Sequence, residues 1–374
     1  MRLNPFVEAA PTYPLSRVGG VRADARARGA ELVDLSLGQP SDPIPPFLAD
    51  ALTAAVAATP FDAYPTSEGL PALREAIAGW VARRFGATLD PDGVEPRENE
   101  LRQKRRFHLG REVDGMTPFS GLADPINAGL RVVELPLSAA GGWLPDPDDV
   151  PWDEVAIVWL TSPHNPTGAI APPELTAALA ERCRAHGALL AVDEAYSELW
   201  FEGAPPGSAL ALEDRSGVVA FHSLSKRTGV PGLRSGFAAG DPQILARMKR
   251  HRVDVGTTPQ TFVQRASIAA WSDEAHVDAG RASYAARRAL LRDAFARGGL
   301  EHAGGAGGMF LWLRVPEGDD VAAFESLAAR GVLTVPGSWL GPGGAGHLRA
   351  SFTRPLAELE RAAELLAAGS AART

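Results

Sequence analysis

The sequence predicts an α/β protein: a mostly parallel sheet with helices on both faces, joined to a smaller α+β domain. Two features of the chain carry that reading. Short apolar runs alternate with helical patterns through residues 155–255, the arrangement that wraps a parallel sheet in its own crossover helices. Beyond about residue 272 the alternation stops, and a long helical stretch precedes separate strand-like runs. A length of 374 residues suffices for about two domains. The chain divides into an N-terminal arm that forms part of the small domain (1–45), a large α/β domain (46–271) and a C-terminal small domain (272–374).

The elements follow in order. VAIVWLTS (155–162) reads as a buried strand and PPELTAALAERCRAHG (172–187) as a helix. ALLAVDEAY (188–196), GVVAFHS (217–223) and the short GFAAG (236–240) are strands, and PQILARMKRHRVDV (242–255) is a helix. In the last part a helix over 273–299 precedes the strand-like MFLWLRVP (309–316). A helix around VAAFESLAARG, a strand at HLRASF (347–352) and a final helix PLAELERAAELLAAG complete the chain. GGAGG (304–308) and GPGGAG (341–346) read as loops.

Composition excludes several classes. The formal charge of −8 argues against a general nucleic-acid binder or a binder of anionic membranes. The basic run LRQKRRFHLGR (101–111) reads first as a solvated face. Cys183 is the single cysteine, so no intrachain disulfide can form and a cytoplasmic setting is expected. Its place in a helical pattern assigns it to packing. No apolar stretch approaches the ~20 residues of a membrane span, and the first residues lack the pattern of a secretory signal. No metal site is expected.

Lysine occurs only at Lys104, Lys226 and Lys249 among thirty-seven Lys and Arg residues, so an amine kept in the Ser- and Gly-rich SLSKRTGVPGLRSGF (223–237) needs a reason. Three motifs stand just after predicted strands: SPHNPTG (162–168), VDEAY (192–196), and this one, with Arg234 eight residues beyond Lys226. Each has an ordinary reading, as a turn, a helix cap or a loop. Together they supply the contacts of one cofactor. The Lys226 amine can form an imine with an aldehyde, which a guanidinium cannot usefully do. Asp193 can keep a pyridine nitrogen protonated, and Asn165 and Tyr196 can hydrogen-bond a phenolic oxygen. Ser223, Ser225 and Arg234 offer hydroxyls and a bidentate cation to a phosphate. These are the needs of pyridoxal 5′-phosphate.

NPTG, DxAY and SxSK with an arginine eight residues on resemble the fold-type I pyridoxal-phosphate-dependent aminotransferases of class I/II, and the likeness covers most of the chain. The resemblance implies Lys226 as Schiff-base lysine and general base, held as an internal aldimine, with Asp193 at the pyridine nitrogen. It implies Asn165 and Tyr196 at the ring oxygen, and Ser223, Ser225 and Arg234 at the phosphate. HLRASFT resembles the segment whose arginine, here Arg349, clamps the substrate carboxylate. LSLGQPSDPIP places Gly38 beside that carboxylate, and AYPTSEGLPALREAIA implies that Tyr64 reaches the phosphate of a neighbouring subunit in a homodimer. FHSLSKRTGVPGLRSGF with AAGDPQIL and SIAAWSDEAHV is similar to the bacterial N-succinyldiaminopimelate aminotransferase subfamily. That likeness implies amino transfer between N-succinyl-LL-2,6-diaminopimelate and 2-oxoglutarate, a step towards lysine. Arg17, Arg22 and residues of the segment 95–128 are candidates for reading the distal carboxylate.

One segment departs from the pattern. Residues 95–128 have neither the Gly-containing turn that opens a phosphate-binding helix nor the tyrosine expected to stack on the ring. FHLG and Phe119 are their nearest equivalents. A non-catalytic or cofactor-poor homologue on the same fold is therefore an alternative. Others are an aminotransferase of aspartate, alanine or aromatic amino acids, and a pyridoxal-phosphate-dependent lyase.

Overall fold

The computed structural model describes residues 15–29, 31–66, 68–97, 112–113, 132–255 and 259–371. Helix α1 (Leu15–Ala27) leads to strand β1 (Val33–Asp34), then to α2 (Pro46–Ala58) and α3 (Pro71–Phe85). Proline opens both of these last helices, where its missing N–H removes a donor that has no helical partner anyway. Strands β2 (Val94–Arg97), β3 (Glu112–Val113), β4 (Val132–Val133) and β5 (Ile157–Thr161) follow. Then come α4 (Pro173–Ala185), β6 (Leu189–Asp193), β7 (Val218–Ser223), the single turn α5 (Leu224–Arg227), β8 (Gly236–Gly240), α6 (Pro242–Val255) and α7 (Thr261–Ser272).

The central sheet has the order β2-β8-β7-β6-β5. β5, β6 and β7 are mutually parallel, with Thr161 opposite Asp193 and Asp193 opposite Phe221. β8 runs against both of its neighbours, β7 and β2. The connection from β7 to β8 holds no helix long enough to recross the sheet. Only α5 and a 3₁₀ turn at Pro231–Leu233 lie between β7 and β8, so the chain returns beside the end it left. The sheet stays mostly parallel, with one reversed strand.

Every residue of β5 and β7 is buried, as expected when both faces are covered. Side chains alternate between the two faces. Val158, Leu160, Leu190, Val192, Val218 and Ala220 pack with Ile77 and Trp80 of α3, Leu179 and Cys183 of α4, and Trp271 of α7. Ile157, Trp159, Ala191, Val219 and Phe221 pack instead with Leu245 and Met248 of α6. Burial raises the Cys183 thiol to about 12, so it fills space and is not a nucleophile.

The remaining elements are α8 (Ala275–Arg297), β9 (Glu301–His302), β10 (Phe310–Arg314), α9 (Asp320–Ala329), β11 (Val332–Leu333), β12 (Val335–Pro336), β13 (His347–Ser351) and α10 (Leu356–Ala371). An antiparallel sheet β12-β13-β10-β9 lies among these helices. Its core takes in Val18, Val33 and Leu35 from the start of the chain, and β1 pairs with β11 through Val33 and Val332. Among the described residues no helix is long and apolar enough to cross a membrane, and no cluster of metal-ligating side chains occurs.

Candidate active site

Because β5, β6 and β7 run parallel and in register, the loops that leave them emerge at one edge. That edge carries Asn165 after β5, Asp193 at the end of β6, Ser223 at the end of β7, and Ser225 and Lys226 just beyond it. Since β8 returns with Gly236 opposite Ser223, Arg234 stands at the same edge. Ser223 caps α5 by accepting the Ser225 N–H at 3.1 Å. Arg234 adopts the left-handed region (φ 52°), and its guanidinium donates to the Pro231 carbonyl. Asp193 is buried, and one carboxylate oxygen accepts the Ala195 N–H at 3.1 Å.

Lys226 Nζ donates to the Gly38 carbonyl at 2.6 Å and lies 5.7 Å from the ring centre of Tyr196. Two residues earlier, the Ser36 carbonyl accepts from Arg349 Nη2 at 2.9 Å. Arg349 Nη1 donates to Asn165 Oδ1 at 3.1 Å, and its guanidinium sits 4.3 Å from the centre of the Phe310 ring. Lys226, Gly38, Arg349 and Asn165 are thus linked through direct contacts and one short main-chain segment. Tyr64 stands apart from them and is 99% exposed. Arg22 spends its guanidinium on Asp34 and Ser36, whereas Arg17 lies over the Trp339 ring at 5.4 Å. Of residues 95–128 only 95–97 and 112–113 are described; FHLG (107–110), Phe119 and the basic run lie outside the described residues.

Gly38 has no room for a side chain. A Cβ there would stand 2.1 Å from Phe310 Cζ, so the ring carrying the Arg349 guanidinium would have to move. Gly38→Ala is expected to cost about 1–3 kcal/mol through overpacking against the Phe310 ring. Thermal unfolding checks this, and an unchanged midpoint would contradict it.

The pattern at GGAGG (304–308) predicts no more than a loop, yet this segment holds the Asn165 loop in place. Gly305 N–H donates to the Thr167 carbonyl at 2.7 Å and Gly307 N–H to Gly168 at 2.9 Å. A Cβ at Gly305 would lie 2.3 Å from the Gly168 oxygen, so the two backbones touch only because neither carries a side chain. Phe310 and Ser36 are likewise absent from the sequence-based site. Their roles depend on contacts hundreds of residues away in sequence, and no local pattern announces them.

His302 fixes the entrance to this glycine loop. Its Nδ1 accepts the Trp312 N–H at 3.1 Å and its Nε2 faces the Gly305 carbonyl at 3.0 Å. An amide donates and a carbonyl accepts, so the ring is neutral with its proton on Nε2. Burial lowers its proton affinity, the Gly305 contact opposes that, nearby Arg288 lowers it further, and Glu202 pulls the other way. The folded-state pKa therefore lies below the ordinary 6.5. The unfolded chain then binds the proton first, so stability is full above about pH 6.5 and is lost as pH falls toward the depressed folded value. His276 acts in the same direction, also through burial. Thermal midpoints should drop as pH falls from about 6.5 towards 5, and His302→Gln, which keeps a donor and an acceptor without titrating there, should flatten the drop. An identical slope in the variant would overturn the assignment.

The model of the family "Aminotransferase class I and II" matches residues 126–366. The chain belongs to this family. As an aminotransferase it is 36% identical over 351 residues to the 4-dedimethylamino-4-oxo-anhydrotetracycline transaminase OxyQ of Streptomyces rimosus (92% of this chain, 95% of that one). It is 31% identical over 383 residues to the LL-diaminopimelate aminotransferase of Dehalococcoides mccartyi (98% of each). A solved Thermus thermophilus structure, described as a probable N-succinyldiaminopimelate aminotransferase, superposes with a TM-score of 0.87 at 30% identity (94% of this chain, 99% of that one). The aminotransferase is thus a transaminase of amino and oxo acids, and pyridoxal 5′-phosphate is the cofactor of its family. The donor set fits that group: an amine for its aldehyde, a buried carboxylate for its ring nitrogen, and two hydroxyls with a guanidinium for its phosphate.

Proposed function

We propose that this aminotransferase moves an amino group from N-succinyl-LL-2,6-diaminopimelate to 2-oxoglutarate. The observation that carries the transaminase assignment to particular residues is the short segment Ser36–Gly38. Its two carbonyls take Arg349 and Lys226, so the proton-moving amine and the carboxylate-binding guanidinium meet main-chain positions no more than about 7 Å apart. An α-amino acid with its carboxylate on Arg349 would then lie near Lys226 Nζ.

Pyridoxal 5′-phosphate, when bound, supplies the aldehyde that captures the amino group and the ring that accepts the electron pair freed at Cα. Lys226 would hold the cofactor, take the Cα proton on Nζ and return it. Asp193 would keep a proton on the pyridine nitrogen, and its burial strengthens that pairing. Asn165 and Tyr196 would orient the ring through its phenolic oxygen, while Ser223, Ser225 and Arg234 would grip the phosphate. Arg349 would receive the carboxylates of donor and acceptor in turn, beside Gly38. Tyr64 would reach the phosphate site of a partner subunit, a role that its exposure in the single chain favours. We read the assembly as a homodimer in the cytoplasm, with residues 46–271 forming the cofactor-binding domain and residues 1–45 and 272–374 the smaller one.

The succinylated donor is favoured by the subfamily likeness around Lys226 and by the Thermus neighbour. Unsuccinylated LL-diaminopimelate is the second reading, favoured by the Dehalococcoides relative. Glutamate formed from 2-oxoglutarate with each donor, and with aspartate, alanine and aromatic amino acids, separates them. The proposal stands if the succinylated donor gives the highest kcat/KM, and fails if another donor exceeds it. Amino-acid consumption without glutamate would point to a lyase. A protein that stays colourless with added cofactor would point to the non-catalytic alternative.

A further inference from the structure

Lys226 is the third residue of a four-residue helix, and one turn cannot fix its own direction. α5 includes the main-chain bond of 3.0 Å from Thr228 N–H to the Leu224 carbonyl, and an isolated turn is unstable because nucleation fixes several dihedrals for few bonds. The strand before it and the Ser223 cap hold the entry. The exit is held by the two residues that follow Lys226, both tied to one segment, Ala270–His276, where α7 passes into α8.

Arg227 is buried, with only 2% of its side chain exposed. Its guanidinium donates to the Ala270 carbonyl at 2.5 Å, to the Asp273 carbonyl at 3.1 Å and to the Glu274 carboxylate at 2.6 Å. It lies 5.5 Å and 5.1 Å from the rings of Trp80 and Trp271. Thr228 Oγ1 stands 3.1 Å from His276 Nε2, and His276 Nδ1 stands 2.6 Å from Asp273 Oδ1. A carboxylate only accepts, so Nδ1 carries the ring proton and Nε2 accepts the Thr228 hydroxyl. The Asp273 oxygen also takes the His276 N–H at 3.0 Å, and the imidazole rests against Phe47 at 5.1 Å.

A buried guanidinium and a hydroxyl–imidazole–carboxylate chain are poor ways to stabilise a core, since well-packed apolar side chains do at least as well. Their directional bonds do something that apolar packing does not: they fix the rotation of the turn that precedes them. We propose that Arg227 and the Thr228–His276–Asp273 chain are positioning residues that aim Lys226 Nζ into the site. The inference rests on Lys226 as the cofactor-holding amine. Arg227 and Thr228 are both buried, and they act through the backbone of α5.

Thr228→Val tests this with little change of volume, and Arg227→Met tests it more severely. With cofactor bound, Thr228→Val is expected to shift the pH midpoint of the visible absorption by about 0.5 unit or more, and to lower kcat about tenfold with KM for both substrates held. Thr228→Ser should restore both, and Arg227→Lys should not rescue the Arg227 site because it loses the planar fork. A midpoint and kcat equal to the parent's in Thr228→Val, and in Arg227→Met if it folds, would overturn the proposal even if thermal stability fell. Borohydride reduction followed by peptide mapping keeps the two ideas apart. A cofactor adduct found elsewhere than Lys226 sinks the lysine assignment, whereas an adduct on Lys226 with unchanged variants sinks only the anchor.

Discussion

Lys226→Ala should lower turnover by about a thousandfold or more, because in the proposed mechanism one residue both holds the cofactor and moves the proton. Lys226→Arg should fail almost as completely. It preserves charge and can still reach the Gly38 carbonyl, but a guanidinium neither forms the imine nor releases a proton near neutral pH. The pair of variants separates electrostatics from nucleophilicity. Single-turnover measurements with the preferred donor check it, together with loss of the borohydride-fixed adduct. Turnover of either variant within tenfold of the parent would remove Lys226 from the mechanism, whatever the fold resembles.

Arg349→Lys ranks second. Arg349 already divides its donors between Asn165 Oδ1 and the Ser36 carbonyl, over the Phe310 face, and a planar fork meets those directions where an ammonium cannot. Loss of one or two charge-assisted hydrogen bonds, about 1.5–3 kcal/mol each, predicts a fall in kcat/KM of about tenfold at least, and of more than 100-fold if both are lost. The loss should appear for the amino acid and the oxo acid alike, since in the proposed mechanism both carboxylates occupy the same place in turn. Cofactor absorption should be little altered. A fall confined to one substrate would show that Arg349 reads something other than the shared carboxylate.

Several residues of the site are legible in the sequence because their chemistry is unusual for their surroundings. An amine in a chain written almost wholly with arginine, an aspartate ending a buried apolar run, and an Asn-Pro turn after another such run are local facts. The helices α2, α3 and α7 are not among the predicted elements, although α3 carries an apolar stripe at Leu73, Ile77, Trp80 and Val81, the spacing of one helix face. Arg227 is hidden in the sequence because a second cation beside Lys226 looks like solvent-exposed charge. Nothing near it in sequence tells of Trp80, Trp271 and Glu274 closing around it.

The sequence by itself determined which groups are available and at which edge of the sheet they gather, since parallel strands of this kind deliver their loops to one end. Only the tertiary structure decided how those groups are held. The reversal of β8 brings Arg234 back beside Ser223, the start of the chain enters the core of its end, and Ser36–Gly38 thereby comes to lie between Lys226 and Arg349. The physical reason is range. Side-chain chemistry and periodicity are properties of neighbours in sequence, whereas the close backbone contacts at Gly305 and Gly168, and the hold on Arg227, exist only once distant segments have packed.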